Sequence, residues 1–174
     1  MYQTLKLILA TGIKTEAPPQ PDDSLRVARE RLQSKILDYF AGALTIRHVD
    51  AGSCNGCELE INALGNPYYN LEGLGIKFVA SPRHADMLLV TGPVSRHMEV
   101  ALKRTYEATP EPKLVVALGD CGCTGGIFGE SYASCGRVSN VIPVDVAVPG
   151  CPPTPFAIMQ GILTAISTRK SVRP

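Results

Sequence analysis

A chain of 174 residues with 45% apolar and 19% charged side chains is long enough to bury one substantial core. Its formal charge of +1, its lack of Trp and its 6% aromatic content argue against a basic nucleic-acid surface and against a platform of rings for stacking bases. Six cysteines are many for this length, and no leader explains them. The first stretch, MYQTLKLILATGIKTE, has one short apolar run broken by Lys6, no basic leader, no small-residue cleavage site and no twin arginine, and it is too short to span a bilayer. A reducing cytoplasm is therefore expected, where cysteines serve as metal ligands or redox groups more often than as disulfides.

Residues 1–16 read as a short helix or an extended arm, either packed on the chain itself or lying on a partner or near a membrane surface. APPQPDD is a proline-rich linker, so residues 1–22 form an arm and residues 23–174 a single domain. Ser24 or Asp23 can cap a helix to about Phe40, with Leu25, Ala28, Leu32, Ile36 and Tyr39 on one face and Arg26, Arg29, Glu30 and Lys35 turned to solvent. Leu44–Val49 reads as a strand. Cys57–Leu64 begins a helix that Gly65-Asn66-Pro67 stops. Ile76–Ala80 and Met87–Val90 are short apolar runs typical of buried parallel strands. Only the six residues SPRHAD separate them, which is short for a parallel crossover, so one of the two is a candidate antiparallel edge.

Ser95 can cap a helix to about Thr109, with Glu99 and Lys103 paired one turn apart, and Pro110 and Pro112 end it. Leu114–Leu118 and Val144–Val148 are the last strands, Pro155 opens the last helix, and TRKSVRP closes the chain. Strands alternating with helices predict an α/β sheet without repeat or second domain.

The chemistry sits in three turns. GSCNGCELE places Cys54 and Cys57 three positions apart after the first strand. Cys121 follows LVVALGD and Cys151 follows VDVAVPG. Open α/β sheets bind ligands beyond the carboxyl ends of their strands, so three strand ends bring four thiolates to one rim. Four thiolates suit either a tetrahedral zinc or a 4Fe-4S cluster. The surroundings favour the cluster: a single C-x-x-C is joined by two distant single cysteines, where structural zinc usually pairs two knuckles. Gly52, Gly56, Gly119, Gly122 and Gly150 let backbone N–H groups approach a cluster, and the helix that starts at Cys57 adds positive potential. Pro152 and Pro153 stiffen the third turn. Cys123 and Cys135 are read as small buried hydrophobes, with a second cluster or a redox disulfide as the alternative.

DAGSCNGCELEI, SPRHADMLLVTGPV, ALGDCGCTGGIF and IPVDVAVPGCPPTP resemble the small subunit of energy-converting, membrane-bound NiFe-hydrogenases, including the formate-hydrogenlyase and CO-linked types, with the cluster-bearing small subunit of respiratory complex I as a close relative. The resemblance covers roughly residues 43–166. Complex I has adjacent cysteines at the first motif, whereas Cys54 and Cys57 form C-x-x-C, as in the hydrogenase branch. The C-terminal domain that carries further clusters in periplasmic uptake hydrogenases has no counterpart here, and Cys123 and Cys135 lie outside the core motif.

The resemblance implies a flavodoxin-like three-layer α/β sandwich with a mainly parallel sheet. It implies one 4Fe-4S cluster on Cys54, Cys57, Cys121 and Cys151, proximal to a NiFe centre in a separate large subunit. The other implied partners are a ferredoxin-like polyferredoxin subunit and membrane-embedded antiporter-like subunits, with the whole on the inner face of the cell membrane. The chain would relay electrons and do no bond chemistry alone.

Beside such a cluster, Glu58 is either a proton acceptor on reduction or an acid favoured by the helix dipole. Arg83 is a candidate to stabilise the cluster or dock the large subunit, with Asp86 as its pair. His48 reads as a satisfied strand histidine and His97 as a surface residue. Three rivals stand: the equivalent subunit of a quinone-reducing complex, a zinc-stabilised binding module, and a thiol oxidoreductase using Cys54 and Cys57 alone.

Overall fold

The computed structural model describes residues 2–12, 23–40 and 43–168. The apolar runs of the sequence become β1 (Leu44–Asp50), β2 (Ile76–Phe78), β3 (Met87–Thr91), β4 (Leu114–Leu118) and β5 (Val146–Val148). They form one sheet, parallel throughout, in the order β2-β1-β3-β4-β5. This is the flavodoxin-like order, and its winding reverses between β1 and β3. Every residue of β3 and β4 is buried, as unbroken aliphatic runs require when both faces of a parallel strand are covered.

Helices supply the two covers. Ile46, Met87, Leu89, Val116 and Leu118 face a core shared with α2 (Asp23–Phe40), α3 (Gly56–Ala63) and α6 (Pro155–Thr168). Leu88, Val90, Val115 and Ala117 face the opposite core, closed by Leu102 of α4 (Arg96–Ala108) and by Val138 and Ile142. Alternation along each strand thus feeds two layers of helix, giving the expected three-layer sandwich. The short α5 (Gly119–Thr124) follows β4 directly.

The expected inner face of α2 holds at Leu25, Leu32 and Ile36, which are buried, while the side chain of Tyr39 lies outside the described set. Arg26 stays in solvent, 3.0 Å from Glu30. Ser95 caps α4 by accepting from the Met98 N–H at 3.3 Å, and Lys103 donates to Glu99 at 2.8 Å. The N-terminal arm is helical over α1 (Tyr2–Thr11), with Leu5, Leu7 and Leu9 exposed. Nearly all of the proline-rich linker, and the basic tail beyond Thr168, lie outside the described residues. Among the described residues no helix is long and apolar enough to cross a membrane.

The expected antiparallel edge is overturned, and the register explains why. Phe78 at the end of β2 and Met87 at the start of β3 both pair with Ile46 of β1. The connector therefore crosses β1 almost sideways, with no full strand length to retrace. Asp86 fastens it, accepting from the Thr45 N–H at 2.9 Å and the Thr45 hydroxyl at 2.6 Å. Asp86 is thus engaged with Thr45, correcting the expected pairing with Arg83. Asp86→Ala leaves a half-buried donor pair unmatched and is expected to cost about 1–3 kcal/mol, read as a lower denaturant midpoint at unchanged slope.

Candidate metal centre

Each cysteine turn is built by a strand ending in residues that bend the chain sharply. At the end of β1 the Asp50 carboxylate accepts from the N–H groups of Gly52 and Ser53, both at 2.8 Å, folding the backbone into an Asx-type turn. The turn is pinned to the β3–α4 loop by Ser95 N–H to the Ala51 carbonyl at 2.8 Å. Asn55 takes the left-handed conformation just before α3, so Cys54 stands exposed in the turn and Cys57 half-buried in the first helical turn.

At the end of β4, Gly119 has φ +81°, and a Cβ there would lie 2.7 Å from Cys57 Sγ. The first and second cysteine turns therefore meet across a residue that has to be glycine. Cys121 follows, half-buried, with its sulfur against Gly126 in the same way: a Cβ at Gly126 would come within 2.9 Å. At the end of β5, Gly150 leads into Cys151, which is exposed, and a cis Cys151–Pro152 peptide. Asp120 and Gly150 join the second and third turns through two hydrogen bonds of 2.8 Å.

Cys54, Cys57, Cys121 and Cys151 all border one cavity of about 150 Å³, together with Gly56 and Asp120. A larger cavity of about 340 Å³ beside Arg47, His48 and Phe78 has no cysteine on its wall; donor chemistry, not volume, marks the smaller one. The four sulfurs feel each other. Burial, then Glu58 and the other three cysteines, push the Cys57 thiol up to about 12. Burial, then Cys151 and Cys54, raise Cys121 as well. Deprotonated together, four such sulfurs would repel, and a cationic group between them would offset that repulsion. Among the described residues no three His, Cys, Asp or Glu side chains close on a point as ligands of a single ion do. A set of four sulfur donors around one cavity, with glycines where a Cβ would strike two of its sulfurs, is of the kind that holds an iron–sulfur group or a zinc ion.

The raised Cys57 value has a direct consequence for the metal-free protein. Folding tightens the hold on the thiol proton, so unfolding releases it once the pH exceeds the ordinary value near 9.0. The contribution of Cys57 to stability is therefore expected to be fully present below pH 9 and to be lost toward pH 12. The melting temperature of the metal-free chain is expected to fall over that interval, and the fall to shrink in Cys57→Ala.

The remaining candidates divide. Gly56 lines the cavity, whereas Gly122 is buried against Val90, Gly92 and Val138. Glu58 is folded inward, both carboxyl oxygens buried without a hydrogen-bond partner, with Oε1 3.5 Å from His48 Nε2. Burial holds His48 below its usual value while Glu58 and Asp50 pull the other way, and His48 Nε2 lies 3.0 Å from Thr91 Oγ1. His97 is exposed. Arg83 is exposed at the amino edge of the sheet, beside Thr45, whose hydroxyl oxygen lies 2.6 Å from the His84 carbonyl oxygen. About five strand residues, on the order of 15 Å, separate that edge from the cysteine turns, and Arg83 does not border the cavity that the four cysteines share.

Cys123 donates to the Ala117 carbonyl at 3.5 Å, and Cys135 is buried, donating to Glu99 at 3.4 Å. Neither borders the cavity. Sequence reasoning missed Asp50 and Asp120; the signal was an aspartate directly after a strand and beside glycine.

A parallel flavodoxin-like sheet with four thiols around one cavity at its carboxyl rim defines an α/β protein with a candidate sulfur-donor site. Within that class the chain belongs to the family of the NADH ubiquinone oxidoreductase 20 kDa subunit, a family of oxidoreductase components; the match spans residues 54–165 and includes all four cysteines. It is 46% identical over 141 residues to a probable membrane-bound hydrogenase subunit of Pyrococcus furiosus, covering 79% of this chain and 84% of that one. It is 42% identical over 157 residues to formate hydrogenlyase subunit 7 of Escherichia coli, covering 90% of this chain but 59% of that one. An NADH-quinone oxidoreductase component of Desulfovibrio desulfuricans is 47% identical over 107 residues, 62% of this chain and 58% of its own. Among solved structures, the archaeal membrane-bound sulfane sulfur reductase contains a chain with TM-score 0.64 and 33% identity, covering 83% of this chain and 75% of that one.

Proposed function

We propose that Cys54, Cys57, Cys121 and Cys151 hold one 4Fe-4S cluster, and that the chain is the electron-transfer subunit of a membrane-bound, ion-translocating hydrogenase. In this reading it relays electrons between a ferredoxin-like polyferredoxin subunit and the NiFe centre of a partner large subunit. The observation that carries the reading is the single cavity shared by four thiols from three separate strand ends. When bound, the cluster supplies one-electron transfer.

The chain's own residues do the rest. The strand-end turns bring the four sulfurs to one cavity, and Gly119 leaves the room that the Cys57 sulfur occupies. The aliphatic core beneath β1, β4 and β5 keeps water from the inner side. The first turn of α3 adds favourable potential for an anionic group.

Cys54 and Cys151 face outward, and Leu59, Ile127, Phe128 and Tyr132 are exposed on α3 and on the loop that follows Cys121. Such an apolar rim suits the docking of a large subunit over the centre, which also shortens the electron path. The hydrogenase and formate hydrogenlyase names of two relatives support a hydrogenase assembly, and "membrane-bound" in the first supports a place at a membrane; within the proposal that place is the inner face, beside antiporter-like subunits. A second reading, the equivalent subunit of a quinone-reducing complex, is favoured by the identity to the NADH-quinone oxidoreductase component.

Anaerobic purification of the intact complex through a tag on this chain tests both. The expected result is at least about four iron and four sulfide per copy of this chain, the excess carried by the ferredoxin-like subunit and the NiFe centre, with nickel in a co-purifying subunit and hydrogen evolution from reduced viologen. Zinc without sulfide would sink the cluster. A nickel-free complex that reduces quinone would replace the hydrogenase reading with the second one.

A further inference from the structure

The second and third cysteine turns touch at a residue that no ligand role accounts for. The Asp120 N–H donates to the Gly150 carbonyl at 2.8 Å, and the Gly150 N–H donates back to Asp120 Oδ1 at 2.8 Å. The two bonds close a ring between the residue just before Cys121 and the residue just before Cys151. Two ligands carried on different strands are thereby held in one mutual geometry. The Asp120 carbonyl also accepts from the Thr124 hydroxyl at 2.9 Å, tying the clamp to α5. The carboxylate borders the cysteine cavity, and among the described residues it forms no ion pair.

We propose that Asp120 is a positioning residue with two separable actions: its side-chain oxygen sets the spacing of Cys121 and Cys151, and its negative charge makes a cluster bound there harder to reduce. The inference rests on the reading that these four cysteines hold the cluster. The physical grounds are general. An unpaired carboxylate beside an anionic redox group opposes the arrival of an electron, and a buried N–H that loses its acceptor weakens the turn carrying it.

Two substitutions separate the actions. Asp120→Asn keeps an amide oxygen for the Gly150 N–H and removes the charge. Its iron content is expected to match the wild type while the midpoint potential moves upward. Asp120→Ala removes both. Its iron is expected to pass to a chelator about tenfold faster than from the wild type, and the Gly150 amide to lose hydrogen-exchange protection even in the metal-free chain. An unmoved potential in Asp120→Asn overturns the charge effect. Wild-type chelator kinetics together with wild-type Gly150 exchange in Asp120→Ala overturn the clamp. A wild-type chain without a cluster overturns the reading of the centre and the charge effect together, and Gly150 exchange in the metal-free protein still decides the clamp.

Discussion

Cys57→Ala is expected to abolish the iron–sulfur centre, lowering iron by about four per copy of this chain, while Cys123→Ala and Cys135→Ala keep the full complement. Cys57 is the most enclosed of the four thiols by its setting: its sulfur lies over Gly119, and the other three cysteines act on it. Removing it leaves three thiolates on a wall that no other sulfur reaches. Cys123 is the fitting control because it too is half-buried, so its truncation costs similar apolar contact without touching the cavity. Iron, sulfide and visible absorbance after anaerobic purification read the outcome. Equal iron in Cys57→Ala and the wild type would remove Cys57 from the ligand set, and loss in Cys123→Ala would add that residue to it.

Gly119→Ala is expected to damage both the fold and the centre. The backbone there has φ +81°, a conformation that costs an L-residue roughly 1–2 kcal/mol, and the new methyl would sit 2.7 Å from Cys57 Sγ. One of the two has to move, and both are anchored, Gly119 at the end of a fully buried strand and Cys57 in α3. The melting temperature should fall by about 3–8 °C for a chain of this size, and the iron content with it. Gly129→Ala isolates the backbone cost. Gly129 has φ +53° with open space around its Cα, so strain appears there without a collision. That variant should lose stability and keep its iron. If Gly119→Ala binds iron like the wild type, the close contact between the first two turns is not needed to form the site.

Much of this protein is written in short-range signals. The aliphatic runs at Met87–Thr91 and Leu114–Leu118 announce strands covered on both faces, and Ser95 announces a helix start. Cysteines placed after strand ends announce a sulfur-donor site, because a strand length and a turn residue suffice to aim a side chain off the rim of a sheet. Other features were not legible. SPRHAD is too short for a full return crossover, yet β2 and β3 are parallel, because β2 pairs only with the amino half of β1. Arg83 and Asp86 look like a charge pair in sequence, yet Asp86 serves Thr45, 41 residues away along the chain.

The sequence by itself determined the element types, the order of the cysteine turns and the soft donor chemistry, since each depends on periodicity, turn residues and side-chain identity within a few positions. Tertiary structure alone decided the lateral order of the strands, the edge on which Arg83 falls, the meeting of Gly119 with Cys57 and the bonding of Asp120 to Gly150. Those outcomes depend on how segments far apart in the chain pack against a common core, a free energy that no local stretch carries.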